Sequence, residues 1–141
     1  MILFAGQDSL VPIKTPVIVK ERELLTLTWR ADFPLQSDSD WFLHVYFRRP
    51  DGEWGSLPIA TLVNTKPSPN NKVPEFQNKI SSVAVKNQQS NSFEFELAIS
   101  DMSISEEGIY EVRRLSSSGS HRSLKSSITA GIIGKNLFSI L

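Results

Sequence analysis

The chain has no cysteine among its 141 residues. That excludes disulfides, zinc–thiolate sites and thiol nucleophiles. Histidine is almost as scarce: only His44 and His121 are present. A copper or zinc site built on several imidazoles is therefore excluded. Neither sign of charge is in excess, with 15 basic and 15 acidic residues, so broad electrostatic capture of nucleic acid is not expected. No run approaches the roughly 18 consecutive apolar residues of a membrane helix. There is no P-loop, no Gly-x-Gly-x-x-Gly, no Gly-x-Ser-x-Gly and no Asn-x-Ser/Thr acceptor. The start MILFAGQDSLVPIK lacks the pattern of a secretory signal, because Lys14 follows the apolar residues instead of preceding them. These features together lead us to expect a protein that folds in a reducing cytosol, without metal or cofactor.

What is present is period-two alternation. In LLTLTWR, Leu25, Leu27 and Trp29 share one face, and Thr26, Thr28 and Arg30 the other. WFLHVYFR sends Trp41, Leu43, Val45 and Phe47 to one side, and FEFELAI does the same with Phe93, Phe95, Leu97 and Ile99, leaving Glu94, Glu96 and Ala98 outside. Such segments form antiparallel strands with one buried face. Shorter strands are expected at 16–20, 57–63 and 79–85. Pro50-Asp51-Gly52 presets a tight turn. Residues 64–78 read as a polar loop too rich in proline for an interior strand, and 116–127 as a flexible one. Many short strands separated by turns imply an all-β sandwich or barrel.

The run LAISDMSISEEGIYEV, residues 97–112, resembles the E–F region of a variable-type immunoglobulin domain. Leu97, Ile99, Met102, Glu106, Gly108, Tyr110 and Val112 stand at the matching positions. Glu106 takes the place of the usual Asp, and Val112 that of the second Cys. Tyr110 then falls at the tyrosine corner. The first Cys position falls on Trp29, and Trp41 is placed to be the buried Trp of strand C. The resemblance covers about residues 16–115 and implies an immunoglobulin-like two-sheet antiparallel sandwich without disulfide, a single domain over 1–141. The apolar segments 1–15 and 128–141 are expected as edge strands or docking tails. A bridge between positions 29 and 112 is worth about 4 kcal/mol on a chain-entropy model. Burying Trp29 against Val112 offers a comparable few kcal/mol from apolar area.

Trp29, Trp41, Tyr110 and Val112 are accordingly the expected structural core. No catalytic constellation emerges; a hydrolase centred on His44 is the weakest of the readings. Asp32, Asp38 and Asp40 make the B–C loop acidic without the glycine and terminal glutamate of a calcium loop. Arg48-Arg49, Arg113-Arg114, Arg122 and Lys125 gather into a basic zone only if strands C and F are neighbours. On the outward face of strand C stand Phe42, His44 and Tyr46, with Trp54 just beyond the turn and Arg113 on strand F. Aromatic and arginine enrichment is the composition of protein interfaces, and in the family this sheet face often mediates dimers or receptor contacts.

The expected partner is therefore a protein or a second copy of the chain, with neither nucleic acid nor membrane. Immunoglobulin-like domains lacking cysteine, signal and sequon resemble those of bacteriophage particles. The expectation is a virion structural protein, a capsid decoration or tail accessory, made in the host cytoplasm and docked to a shell or tail protein. The alternative is a recognition or adhesion module that binds a protein or glycan through its B–C and F–G loops, residues 31–40 and 116–127.

Overall fold

The computed structural model describes residues 7–37 and 39–134. The three long alternating segments become β3 (Leu25–Ala31), β4 (Trp41–Arg48) and β8 (Phe93–Ile99), each with every second residue buried. One position departs from strict alternation: Ala98, expected outside, is buried. It lies in register between Thr26 and Ser82 on the two flanking strands. The remaining strands are β1 (Leu10–Pro12), β2 (Val17–Lys20), β5 (Ala60–Val63), β6 (Lys66–Pro69), β7 (Ile80–Lys86), β9 (Gly108–Ser116) and β10 (Leu124–Ile133).

They form two packed sheets, one ordered β1-β3-β8-β7 and the other β2-β10-β9-β4-β5-β6. Beyond β4 the second sheet continues through the antiparallel strands β5 and β6. Every pairing is antiparallel except that of β2 with β10, which is parallel. The exception arises because the chain leaves the first sheet after β1 and joins the second as β2, keeping its direction. A single strand thus serves both sheets, and the crossing passes through a cis Thr15–Pro16 bond.

Three loop and tail expectations change. Residues 64–78 are not all loop: Lys66–Pro69 forms β6, and Pro74–Phe76 a turn of 3-10 helix that buries Phe76. Pro67 and Pro69 are tolerated because β6 is the last strand of its sheet. Residues 124–127 belong to β10 instead of the F–G loop, and 128–133 complete that strand in the interior of the sheet, between β2 and β9. They are neither an edge strand nor a tail. Ile2, Leu3 and Phe4, Lys135–Leu141 and Asp38 lie outside the described residues.

Trp29, Tyr110 and Val112 are fully buried between the sheets, and Trp41 is 6% exposed. The indole Nε1 of Trp29 has no hydrogen-bond partner among the described residues. Such an orphan donor costs about 1–3 kcal/mol, so Trp29 stabilises by filling volume. At one end of the core Trp41, Phe33 and Phe93 pack together, with Phe33 edge-on to both others at 5.1 and 5.5 Å. At the other end Tyr110 meets Phe47 and Phe76. Its hydroxyl donates to the Glu106 carbonyl oxygen at 2.5 Å, closing a tyrosine corner. Glu106 in turn caps the 3-10 turn Ile104–Glu106 by accepting from Ser103 N, and pairs with Lys79 at 2.7 Å. Gly108 starts β9 at φ 155°, where a Cβ would overlap the Arg48 carbonyl oxygen. The motif's glycine is thus required by the close approach of β9 to β4.

Candidate protein-docking surface

The outer face of the six-stranded sheet is built by the same alternation that fills the core. Residues 42, 44 and 46 of β4 point away from the buried Leu43, Val45 and Phe47, and all three are half-buried. Register sets His44 opposite Arg113, Tyr46 opposite Glu111 and Phe42 opposite Leu115 on β9. Trp54 is brought back over this face by a bridge to Arg48. The five residues expected at an interface, Phe42, His44, Tyr46, Trp54 and Arg113, therefore lie on one continuous surface.

Their contacts make a row. The His44 ring lies 4.8 Å from that of Phe42 and 6.0 Å from that of Tyr46, and its Nδ1 is 3.2 Å from the Tyr46 hydroxyl. The Arg113 guanidinium sits 4.3 Å from the Tyr46 ring centre and 5.0 Å from that of Trp54. Arg48 covers Trp54 at 5.2 Å. Cation–π contacts of this kind contribute about 0.5–1 kcal/mol each at exposed sites. Glu111 steadies the row, since Arg113 Nε donates to Oε1 at 2.8 Å and Ser127 Oγ to Oε2 at 2.9 Å. Partial burial lowers the His44 pKa, so the ring is neutral at pH 7. Side chains held in this way lose little further freedom on binding, which is the basis of preorganisation.

The basic zone does not gather as a whole. Arg48, Arg113 and Lys125 share the outer face, Lys125 standing opposite Arg113 in register. Arg49 leaves the group towards Glu75 at 3.8 Å. Arg114 points into the core and is 1% exposed. Its Nη1 donates to Asp8 at 2.8 Å, its Nη2 to the Arg122 carbonyl oxygen at 2.8 Å, and its guanidinium covers Phe33 at 4.5 Å. Arg122 then donates to the Asp8 carbonyl oxygen at 3.0 Å. Period-two alternation from Tyr110 and Val112 does place residue 114 inward, yet nothing in the sequence identifies Asp8, 106 residues away, as its partner. Phe33 was likewise illegible, being an isolated aromatic in a loop.

The loop carboxylates separate too. Asp32 accepts from Ser9 and Arg30, and these contacts hold its pKa below the usual range. Asp40 instead joins the two loops at the tip of the sandwich. It accepts from Ser118 and Ser120, and from Ser116 at 3.0 Å, while its Oδ1 lies 2.5 Å from His121 Nδ1. The serine hydroxyls, then the nearby imidazole, hold the Asp40 carboxyl well below the ordinary carboxylate range. Ser120 Oγ approaches the same Nδ1 of His121, at 3.3 Å. A Ser-His-Asp relay uses opposite ring nitrogens, so this cluster is a loop tether. Among the described residues, no group of three or more His, Cys, Asp or Glu is placed to hold a metal ion.

No protein-family model and no curated protein matches the chain. The fold, in contrast, is widely shared: 1710 chains of solved structures match. One comes from the structure described as "Structural basis of T cell specificity and activation by the bacterial superantigen toxic shock syndrome toxin-1", with a TM-score of 0.61 and 14% identity, covering 89% of this chain and 99% of that chain. Identity that low establishes the architecture alone. So common an architecture carries many unrelated functions, and function has to be argued from the surface.

Proposed function

We propose that this protein is a non-enzymatic virion component, a capsid decoration or tail accessory protein of immunoglobulin-like type, that works by docking onto a shell or tail protein. The observation that carries the docking role is the ordered row Phe42–His44–Tyr46–Arg113–Trp54 on the outer face of the six-stranded sheet. Large rings and a guanidinium, preset by their neighbours and backed by a rigid sheet, are the side chains that dominate binding energy in protein interfaces. The virion setting rests on the resemblance to phage-particle domains and on a core that dispenses with cysteine, with Trp29 and Val112 buried where the family places its bridge. Cross-linking in the native source, followed by mass spectrometry, tests both parts. Stoichiometric linkage of the outer face to one abundant shell or tail protein is the expected result. Linkage to a membrane receptor, or none at all, overturns the virion reading.

A second reading has an observation in its favour. The Asp40 tether orders the F–G loop against the B–C loop, as a recognition tip requires. On that reading a soluble protein or glycan ligand protects residues 117–123 from proteolysis, and Asp40→Asn weakens its binding. The docking reading predicts that this substitution leaves particle binding unchanged.

A further inference from the structure

The two outer faces of the sandwich differ in charge, although the chain as a whole is neutral. On the four-stranded sheet the outward residues are balanced. Arg30 and Lys86 stand against Glu94 and Glu96, with Arg30 opposite Glu94 in register and Lys86 paired with Glu96 at 2.9 Å. On the six-stranded sheet, alternation sends Lys20, Arg48, Lys66, Arg113 and Lys125 outward, and Glu111 is the one carboxylate among its described strands. Glu111 is buried and already engaged by Arg113 and Ser127. Arg48, Lys66 and Lys125 enter no ion pair among the described residues. Lys20 and Lys66 lie on the two terminal strands, and Lys20 adjoins Glu21 and Glu23. The central cations are Arg48, Arg113 and Lys125, which border the rings of Tyr46 and Trp54. Glu53, next to Trp54 in the chain, lines a separate depression with Arg49 and Glu75.

We propose that the surface this face docks on is a carboxylate-rich patch of a protein, read by Arg48, Arg113 and Lys125 around the aromatic row. The inference rests on the docking reading of the same face and names the chemistry of its partner. Potentials of opposite sign across an interface steer encounter and exclude wrong partners. Guanidinium–carboxylate contacts add direction, because the planar fork matches the two oxygens. Arg48 and Arg113 both lie over Trp54, so each guanidinium is positioned before a carboxylate arrives. A nucleic acid fits less well. Its capture draws on a general positive excess that this chain lacks. Three central cations interleaved with aromatic rings have instead the composition of a protein interface.

Fluorescence anisotropy with labelled poly-L-glutamate as the probe tests the inference. The unmodified chain is expected to bind it, with affinity falling as salt rises from about 50 to 300 mM and the screening length shortens. Lys125→Glu and Arg48→Glu should each weaken binding about tenfold. Lys125 is exposed, and its reversal sets a carboxylate opposite Arg113, so the fold is kept, as thermal melting should verify. Lys86→Glu, the same charge change on the balanced sheet, should leave binding unchanged. An unmodified chain that does not bind overturns the inference, and so does equal weakening by Lys86→Glu. A single-stranded oligonucleotide of matched length that binds more tightly than poly-L-glutamate also overturns it, in favour of nucleic acid. Failure here is distinct from failure of the docking reading. Cross-linking of this face to a neutral or basic patch of a shell protein would refute the acidic partner and leave docking intact. Poly-L-glutamate binding without any cross-link in the native source would refute docking alone.

Discussion

The two faces of β4 carry similar side chains and meet different fates. Trp41, Leu43, Val45 and Phe47 are between 0% and 6% exposed, whereas Phe42, His44 and Tyr46 on the other side are half-buried. The composition of the strand does not explain this, since aromatic rings occur on both faces. The four-stranded sheet covers one face, and among the described residues only side chains of the strand's own sheet and the Trp54 turn shelter the other. A ring beneath a second sheet serves stability. One that has only lateral neighbours remains available to a partner.

Substitutions across the two faces sharpen that contrast. The largest effect is expected at Trp29, at the centre of the covered side, where Trp29→Ala should cost about 3–5 kcal/mol. A urea midpoint that hardly moves would remove the account in which this ring replaces a disulfide. Gly108→Ala should cost about 3 kcal/mol, because the added methyl drives β9 off the Arg48 carbonyl; thermal melting reads this directly. Neighbouring residues on opposite faces give the sharpest comparison. Trp41→Ala should fall in the range of Trp29→Ala, whereas Phe42→Ala should cost about 1 kcal/mol, in keeping with half a side chain's burial. Equal losses would mean that the outer row is core in all but name. Tyr110→Phe should cost about 1 kcal/mol through the lost bond to Glu106, and an unchanged melting curve would count against the tyrosine corner.

The smallest effect is one of pH. Burial disfavours protonation of His44 in the fold, while the unfolded chain takes up that proton near the ordinary value of 6.5. The folded pKa is depressed, so the unfolded state binds more protons in this window. Stability is therefore full above 6.5 and declines as the pH falls below it. Urea midpoints measured from neutral to mildly acidic pH should show that slope, and His44→Gln should flatten it. Asp40 behaves in the same sense at lower pH: its tether is intact above the ordinary carboxyl value of 3.8 and is lost only in stronger acid.

The long strands were readable because a half-buried sheet imposes a period of two, and β3, β4 and β8 obey it almost without exception. The E–F motif was readable because its residues interact locally, with Tyr110 reaching only four residues back. The short strands were less so. β6 is hidden among prolines that a terminal strand tolerates, and β10 begins within a serine-rich stretch with little alternation in burial potential. The outer row was legible as a set of residues on one face. Its order was not, because the Arg113 stack needs Trp54, folded back from a separate turn, to form its second wall.

Local pattern alone determined that the chain is all-β and which residues of β3, β4 and β8 turn inward, and the short run 97–112 carried the resemblance that placed the tyrosine corner. Those properties depend on neighbours one to a few residues apart, and periodicity records them. Only the tertiary structure decided that β2 pairs parallel with β10, that Arg114 is buried against Asp8, and that Asp40 ties two loops together. Each of these joins residues from about 76 to 114 positions apart, where contact depends on how two sheets stack and not on the spacing of any motif.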